Sequence, residues 1–122
     1  KGQLAENSKI LSYHSTFPEQ NHNEIEGWCN LQSLMSEISV IWLKDNNDSF
    51  FIKERMKIVE GIIDKYPNQQ IDFKIDGDTV LEKVFAMINV IDWLSFYLAI
   101  LYGTNPSPVN NISKLKLLMS ND

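Results

Sequence analysis

Phe17-Pro18-Glu19-Gln20-Asn21-His22-Asn23-Glu24-Ile25-Glu26-Gly27-Trp28 sets one of the chain's two histidines among amides and carboxylates. Side chains this polar are costly to bury, and a plain linker has no use for them. A histidine at a helix start is most often a solvated surface group. The density of polar partners within three positions of His22 points instead to a site, with an imidazole suited to moving protons on oxygen. Glu6 lies sixteen residues before His22, with Pro18 between them. Alone it would pass for a solvated carboxylate. Paired with an imidazole it offers a division of labour, in which a carboxylate takes a proton from carbon beside a carbonyl and the histidine serves oxygen-bound protons.

Two lysines near the C-terminus complete the set. At about 100° per residue, Ile112, Leu115 and Met119 mark one arc of a closing helix. Lys116 falls inside that arc and Lys114 opposite it. An inward lysine either snorkels or serves a site. Trp28, Trp42, Trp93, Phe96 and Tyr97 read as packing residues, and His14 as structural. Cys29 has no neighbouring base or cation to activate its thiol. Glycine-rich phosphate loops and the nucleophile-elbow pattern are absent from the sequence.

These groups need elements to hold them. Residues 1–9 read as a helix end followed by a turn, and 10–17 as an irregular segment leading to Pro18. A helix is expected to start near His22 and to carry Ile25 and Trp28 inward, its continuation to Met35 weakened by Gly27 and Asn30. Ile38–Leu43 is a short β-rich strand ending in the turn cluster 44–48. Asp48 or Ser49 caps a helix whose Ile52, Met56, Val59 and Ile63 share one face. A second strand follows, with Ile71, Phe73 and Ile75 alternating with polar residues. Thr79-Val80-Leu81-Glu82 is a capping box opening a helix to Tyr102, with Gly103 past its end. That helix is apolar on nearly all sides, broken by Asn89, Asp92 and Ser95. Its length would suit a membrane, but Asp92 at mid-depth argues for burial between a sheet and a second subunit. A last helix spans about Val109–Met119. The strand–helix–strand–helix order predicts an α/β fold, a three-layer parallel sheet flanked by helices, with its first strands missing on the N-terminal side.

Size and composition narrow the function classes. A chain of 122 residues with 43% hydrophobic content fits one domain, residues 1–122. Its formal charge of −5 offers no basic stripe for a nucleic acid or membrane surface. One cysteine excludes an internal disulfide and fits a cytoplasmic location. With two histidines it also makes a structural zinc site poor chemistry. No cofactor is expected. The opening Lys1-Gly2-Gln3-Leu4, without an initiator methionine, reads as part of a longer protein.

Several stretches together resemble a known family. Glu6-Asn7-Ser8-Lys9, Phe17-Pro18-Glu19, Asn21-His22-Asn23-Glu24-Ile25 and Gly27-Trp28 are similar to the C-terminal sugar isomerase (SIS) domain of bifunctional phosphoglucose/phosphomannose isomerases. So are Tyr97–Ile100, Gly103 and Asn105-Pro106-Ser107-Pro108-Val109. The resemblance implies interconversion of aldose and ketose phosphates through a cis-enediol. It makes Glu6 the base and His22 the ring-opening histidine, reaching a neighbouring subunit's site. It also implies a lysine beside the sugar, Lys116 by the helix-face reasoning with Lys114 second, and a sugar contact near Ser107. The implied substrate is glucose, mannose or fructose phosphate, and the implied assembly a homodimer, through the 79–102 helix. The family's phosphate-binding loop has no counterpart here. The chain by itself is therefore expected not to isomerise anything. A non-catalytic sugar-phosphate-sensing SIS module is the alternative, and the Glu6/His22 pair, which a sensor does not need, separates the two.

Overall fold

The computed structural model describes residues 1–120. It contains two compact units: Ser15–Ala86, and Lys1–His14 together with the chain from Met87 onward. The first holds the sheet. Strand β1 (Ser39–Asp45) and strand β2 (Gln69–Ile75) pair in parallel, from Ser39 opposite Gln69 to Asp45 opposite Ile75. Parallel neighbours need a crossover. Here it is the helix Phe50–Ile63, the fourth of six α-helices among the described residues and hereafter α4. Ser49 caps it, its hydroxyl accepting from the Ile52 N–H at 3.3 Å. Met56, Val59 and Ile63, three of the four residues expected on its inner face, are buried against Trp42 of β1, and Ile52 packs on the same cluster. Each such side chain contributes about 1.5–3 kcal/mol. This cluster is the unit's core.

Polar ties lock the helix to both strands. Trp42 Nε1 donates to Gln70 Oε1 at 2.9 Å, and Gln70 Nε2 donates to the Glu60 carbonyl and to Asp64 Oδ1, each at 3.1 Å. Lys44 on β1 meets Glu60 of α4 at 2.5 Å and Asp72 of β2 at 2.7 Å. Burial pulls the Lys44 ammonium down, but hydrogen bonds to Asp72 and Glu60 outweigh it and hold its pKa above the usual 10.5. The α/β class and parallel pairing agree with the expectation from sequence. The opposite sheet face remains half-exposed at Ile41, Leu43 and Ile71.

The long helix Val80–Leu101 (α5) begins in this unit. Its capping box forms as expected: Glu82 N–H donates to Thr79 Oγ1 at 3.2 Å, while Glu82 Oε2 accepts from the N–H groups of Thr79 and Asp78 at 2.9 Å. Lys83, 8% exposed, is anchored to Asp45 at 2.6 Å. At its far end Gly103 takes a left-handed φ of 64°. Gly103 N–H reaches the Ile100 carbonyl and Thr104 N–H the Ala99 carbonyl, a Schellman termination. This helix is long and apolar enough to cross a membrane by length and composition.

The second unit joins α1 (Gly2–Glu6), the body of α5 and α6 (Asn110–Met119). Ser95 and Ala99 on α5 are fully buried. Helix α6 has no buried residue. The expected helix from His22 is one turn only, α2 (Glu24–Gly27), separated from a second turn, α3 (Gln32–Met35), by Leu31 in the left-handed region. Gly27 and Asn30, poor helix formers, mark the break.

Candidate active site

His22 sits on a strip of chain seated on the core. Phe17, Ile25 and Trp28 pack against the Trp42 cluster, with Phe17 and Trp42 ring centroids 6.1 Å apart. Between these anchors the backbone makes a 3₁₀ turn, Glu19–Asn21, and His22 N–H closes it onto the Glu19 carbonyl at 3.0 Å. Gln20 beneath is 8% exposed, whereas the His22 side chain is exposed. Two buried amide oxygens just before His22 in the chain, Gln20 Oε1 and Asn21 Oδ1, accept no hydrogen bond among the described residues.

Glu6 ends α1 in the other unit, its side chain exposed. Gln3 Nε2 donates to Asp92 Oδ1, and Asn7 Nδ2 donates to Ser95 Oγ at 2.8 Å. Ser95 Oγ donates in turn to the Asp92 carbonyl at 2.8 Å. Ser8, 2% exposed, returns its hydroxyl to the Leu4 carbonyl at 2.7 Å. Lys9 then reaches the Glu6 carbonyl and, at 3.2 Å, the Pro106 carbonyl, next to the turn in which Ser107 N–H meets Asn105 Oδ1 at 3.0 Å. The structure thus links the Glu6 helix to the segment carrying Ser107, and both belong to one unit.

Lys116 is exposed, as is Lys114. The inward placement expected of Lys116 is not found, because an apolar arc shows which face wants cover and α6 receives none in its unit. Sequence reasoning also passed over Asp92, Ser95 and Lys83. The first two registered only as breaks in an apolar helix, and Lys83 carried no signal of its own. Among the described residues no cluster of His, Cys, Asp and Glu could hold a metal ion. An open cleft of about 230 Å³ lies at the C-terminal end of β1 beside Lys44, Lys53, Lys57 and Lys74. No expected site residue lines it, and Lys44 and Lys53 are already engaged, Lys53 by the Asn46 carbonyl at 2.5 Å.

Residues 1–119 match the model of the bacterial phospho-glucose isomerase C-terminal SIS domain. The bifunctional phosphoglucose/phosphomannose isomerase of Aquifex aeolicus is 34% identical over 116 residues, covering 95% of this chain and 36% of that protein. Its namesake from Caldicellulosiruptor bescii is 35% identical over 116 residues, 95% of this chain and 34% of the relative. The one from Thermoplasma volcanium is 31% identical over the same share of this chain and 36% of its own length. The chain spans about a third of the length of the curated relatives it matches. Together with the parallel α/β sheet, these matches show that the chain belongs to the bacterial phosphoglucose isomerase C-terminal SIS domain family.

Proposed function

We propose that this chain supplies the proton-moving groups of an aldose–ketose isomerase acting on glucose, mannose or fructose phosphate, as one domain of a longer, cytoplasmic, homodimeric enzyme. Relatives named as bifunctional phosphoglucose/phosphomannose isomerases support the reading. One structural observation carries it: Glu6 and His22, the two groups the chemistry requires, are both exposed, each two positions from a buried residue, Ser8 or Gln20, and Asn7 beside Glu6 is tied to Ser95. His22 gives a proton to the ring oxygen as the sugar opens and regains one from the anomeric hydroxyl, which becomes the carbonyl. Glu6 then takes the proton from the carbon beside the carbonyl as the carbonyl oxygen gains one, leaving a cis-enediol. It returns its proton to the former carbonyl carbon as the other enediol hydroxyl loses its own, so that one proton moves between the carbons and one between the oxygens with none gained or lost overall. Lys116 brings a cation to the enediolate oxygen, and the Ser107 hydroxyl bonds a sugar hydroxyl. The copies pair through α5, which offers exposed Trp93, Phe96, Tyr97 and Ile100. His22 serves the partner's site.

The test is made in the longer polypeptide. Glu6→Gln is expected to lower kcat by about 10²–10⁴-fold while KM stays within about twofold. Equal losses of sugar-phosphate binding and turnover would favour the sensor. Mixing Glu6→Gln and His22→Ala proteins with subunit exchange should restore about a quarter of the native activity, since half the dimers are mixed and each has one intact site of two. No recovery would place both groups on one subunit.

A further inference from the structure

Asp92 and Ser95, which break the apolar run of α5, form a docking seam for α1. Five residues are too few for a stable isolated helix, and no side chain caps the start of α1. Its placement therefore depends on tertiary contacts. Gln3 and Asn7 lie one turn apart on the same face of α1, and Asp92 and Ser95 one turn apart on α5. Gln3 donates to Asp92 and Asn7 to Ser95, while the Ser95 hydroxyl donates on to the Asp92 carbonyl. Ser95 is fully buried, so its hydroxyl has no water to replace a lost partner. With Gln3 and Asn7 facing the seam, Glu6 projects from its flank at about 80° to the docking direction. The Glu6 residue is exposed.

We infer that Gln3, Asn7, Asp92 and Ser95 are positioning residues for Glu6, setting where its carboxylate meets the sugar carbons. The inference rests on Glu6 being the base. A base must stand within a fraction of an ångström of the proton it takes, and misplacement by about 1 Å costs about 100-fold in rate. The four side chains touch no substrate under this reading. They act only through the position of α1.

The experiment uses the longer polypeptide with a sugar-phosphate substrate. Ser95→Ala and Asn7→Ala are each expected to lower kcat by about 10- to 100-fold with KM within about twofold. The double variant should be little worse than either single one, because both remove the same bond. Gln3→Glu sets two carboxylates against each other and should lose turnover. Adding Asp92→Asn reverses donor and acceptor, and should recover most of it with Gln3→Glu in place. A kcat loss restored by that exchange supports the inference. Native kcat in Ser95→Ala and Asn7→Ala, or a loss shared equally by kcat and substrate affinity, overturns it. Where a single variant fails to fold, the exchanged pair decides: a folded pair with native-like kcat supports the inference, and a folded pair without turnover overturns it. Glu6→Gln, run alongside, keeps the two questions apart. If it stays active, the assignment of the base has failed. If it is inactive while the seam variants keep native kcat, the seam inference alone has failed.

Discussion

Gln70 joins the indole of Trp42 to two points near the end of α4, and its replacement tests how the sheet unit is held. In Gln70→Leu the Trp42 Nε1–H loses its acceptor at 2.9 Å, and the Glu60 carbonyl and Asp64 Oδ1 each lose a donor at 3.1 Å. The last two sit where water can substitute, so together they cost about 1 kcal/mol. Trp42 is only 6% exposed, and leaving its N–H unpaired adds about 1–3 kcal/mol. Leucine returns up to about 1 kcal/mol of apolar contact. The net expectation is a loss of about 1–4 kcal/mol. Urea unfolding of the chain followed by far-ultraviolet circular dichroism measures it, with Gln69→Leu as the comparison. Gln69 is exposed and its side chain reaches Ser39 Oγ at 3.2 Å, so that variant should change stability by less than about 0.5 kcal/mol. If the two variants unfold within about 0.5 kcal/mol of each other, the relay through Gln70 does not hold helix to sheet.

Two further outcomes concern the start of α5. A Cβ on Gly77 would lie 3.0 Å from both the backbone nitrogen and Cγ of Lys83, and 3.1 Å from Glu82 Cβ. Gly77→Ala should therefore cost about 1–3 kcal/mol, while Gly61→Ala, with open space around it inside α4, should stabilise by about 0.5–1 kcal/mol; thermal melts that rank the two the other way would refute the close-approach account. Acid should weaken the same region. The Lys83 ammonium and the Asn47 N–H hold the Asp45 carboxyl below 3.8, and the N–H groups of Thr79 and Asp78 hold Glu82 below 4.5. A carboxyl depressed in the folded state stabilises above its ordinary pKa and loses that contribution as pH falls through the folded value. The urea midpoint should therefore fall below about pH 4, and less steeply in Asp45→Asn/Glu82→Gln than in the native chain. Identical slopes would remove these two groups as the cause.

Local signals in the sequence were the ones that survived. Ile52, Met56, Val59 and Ile63 repeat at helical spacing and pack on one cluster; Thr79 and Glu82 form their box; Gly103 ends α5. Each depends on residues within a few positions. Asp92 and Ser95 failed as signals because their partners, Gln3 and Asn7, lie 89 and 88 residues away, and no periodicity reports a bond at that distance. Lys83 failed in the same way, its partner Asp45 being 38 residues upstream. For Lys116 the helical arc of Ile112, Leu115 and Met119 says nothing about whether a surface exists to cover it, and all three residues are exposed. The roles of Glu6 and His22 came from resemblance. Polar density alone marked where to look, and the buried Gln20 beside an exposed His22 gives that density a physical form.

The two-stranded pairing has a practical consequence. Among the described residues each strand has one neighbour, so the outer edges of both β1 and β2 present backbone donors and acceptors that another extended segment could use. A third strand from the same polypeptide, if parallel, would have to arrive through a crossover of a dozen or more residues, whereas a foreign peptide could lie antiparallel with no connection at all. Affinity tags and fusion linkers attached to this chain are therefore best kept free of extended β-branched runs, since such a sequence could pair with these open strand edges.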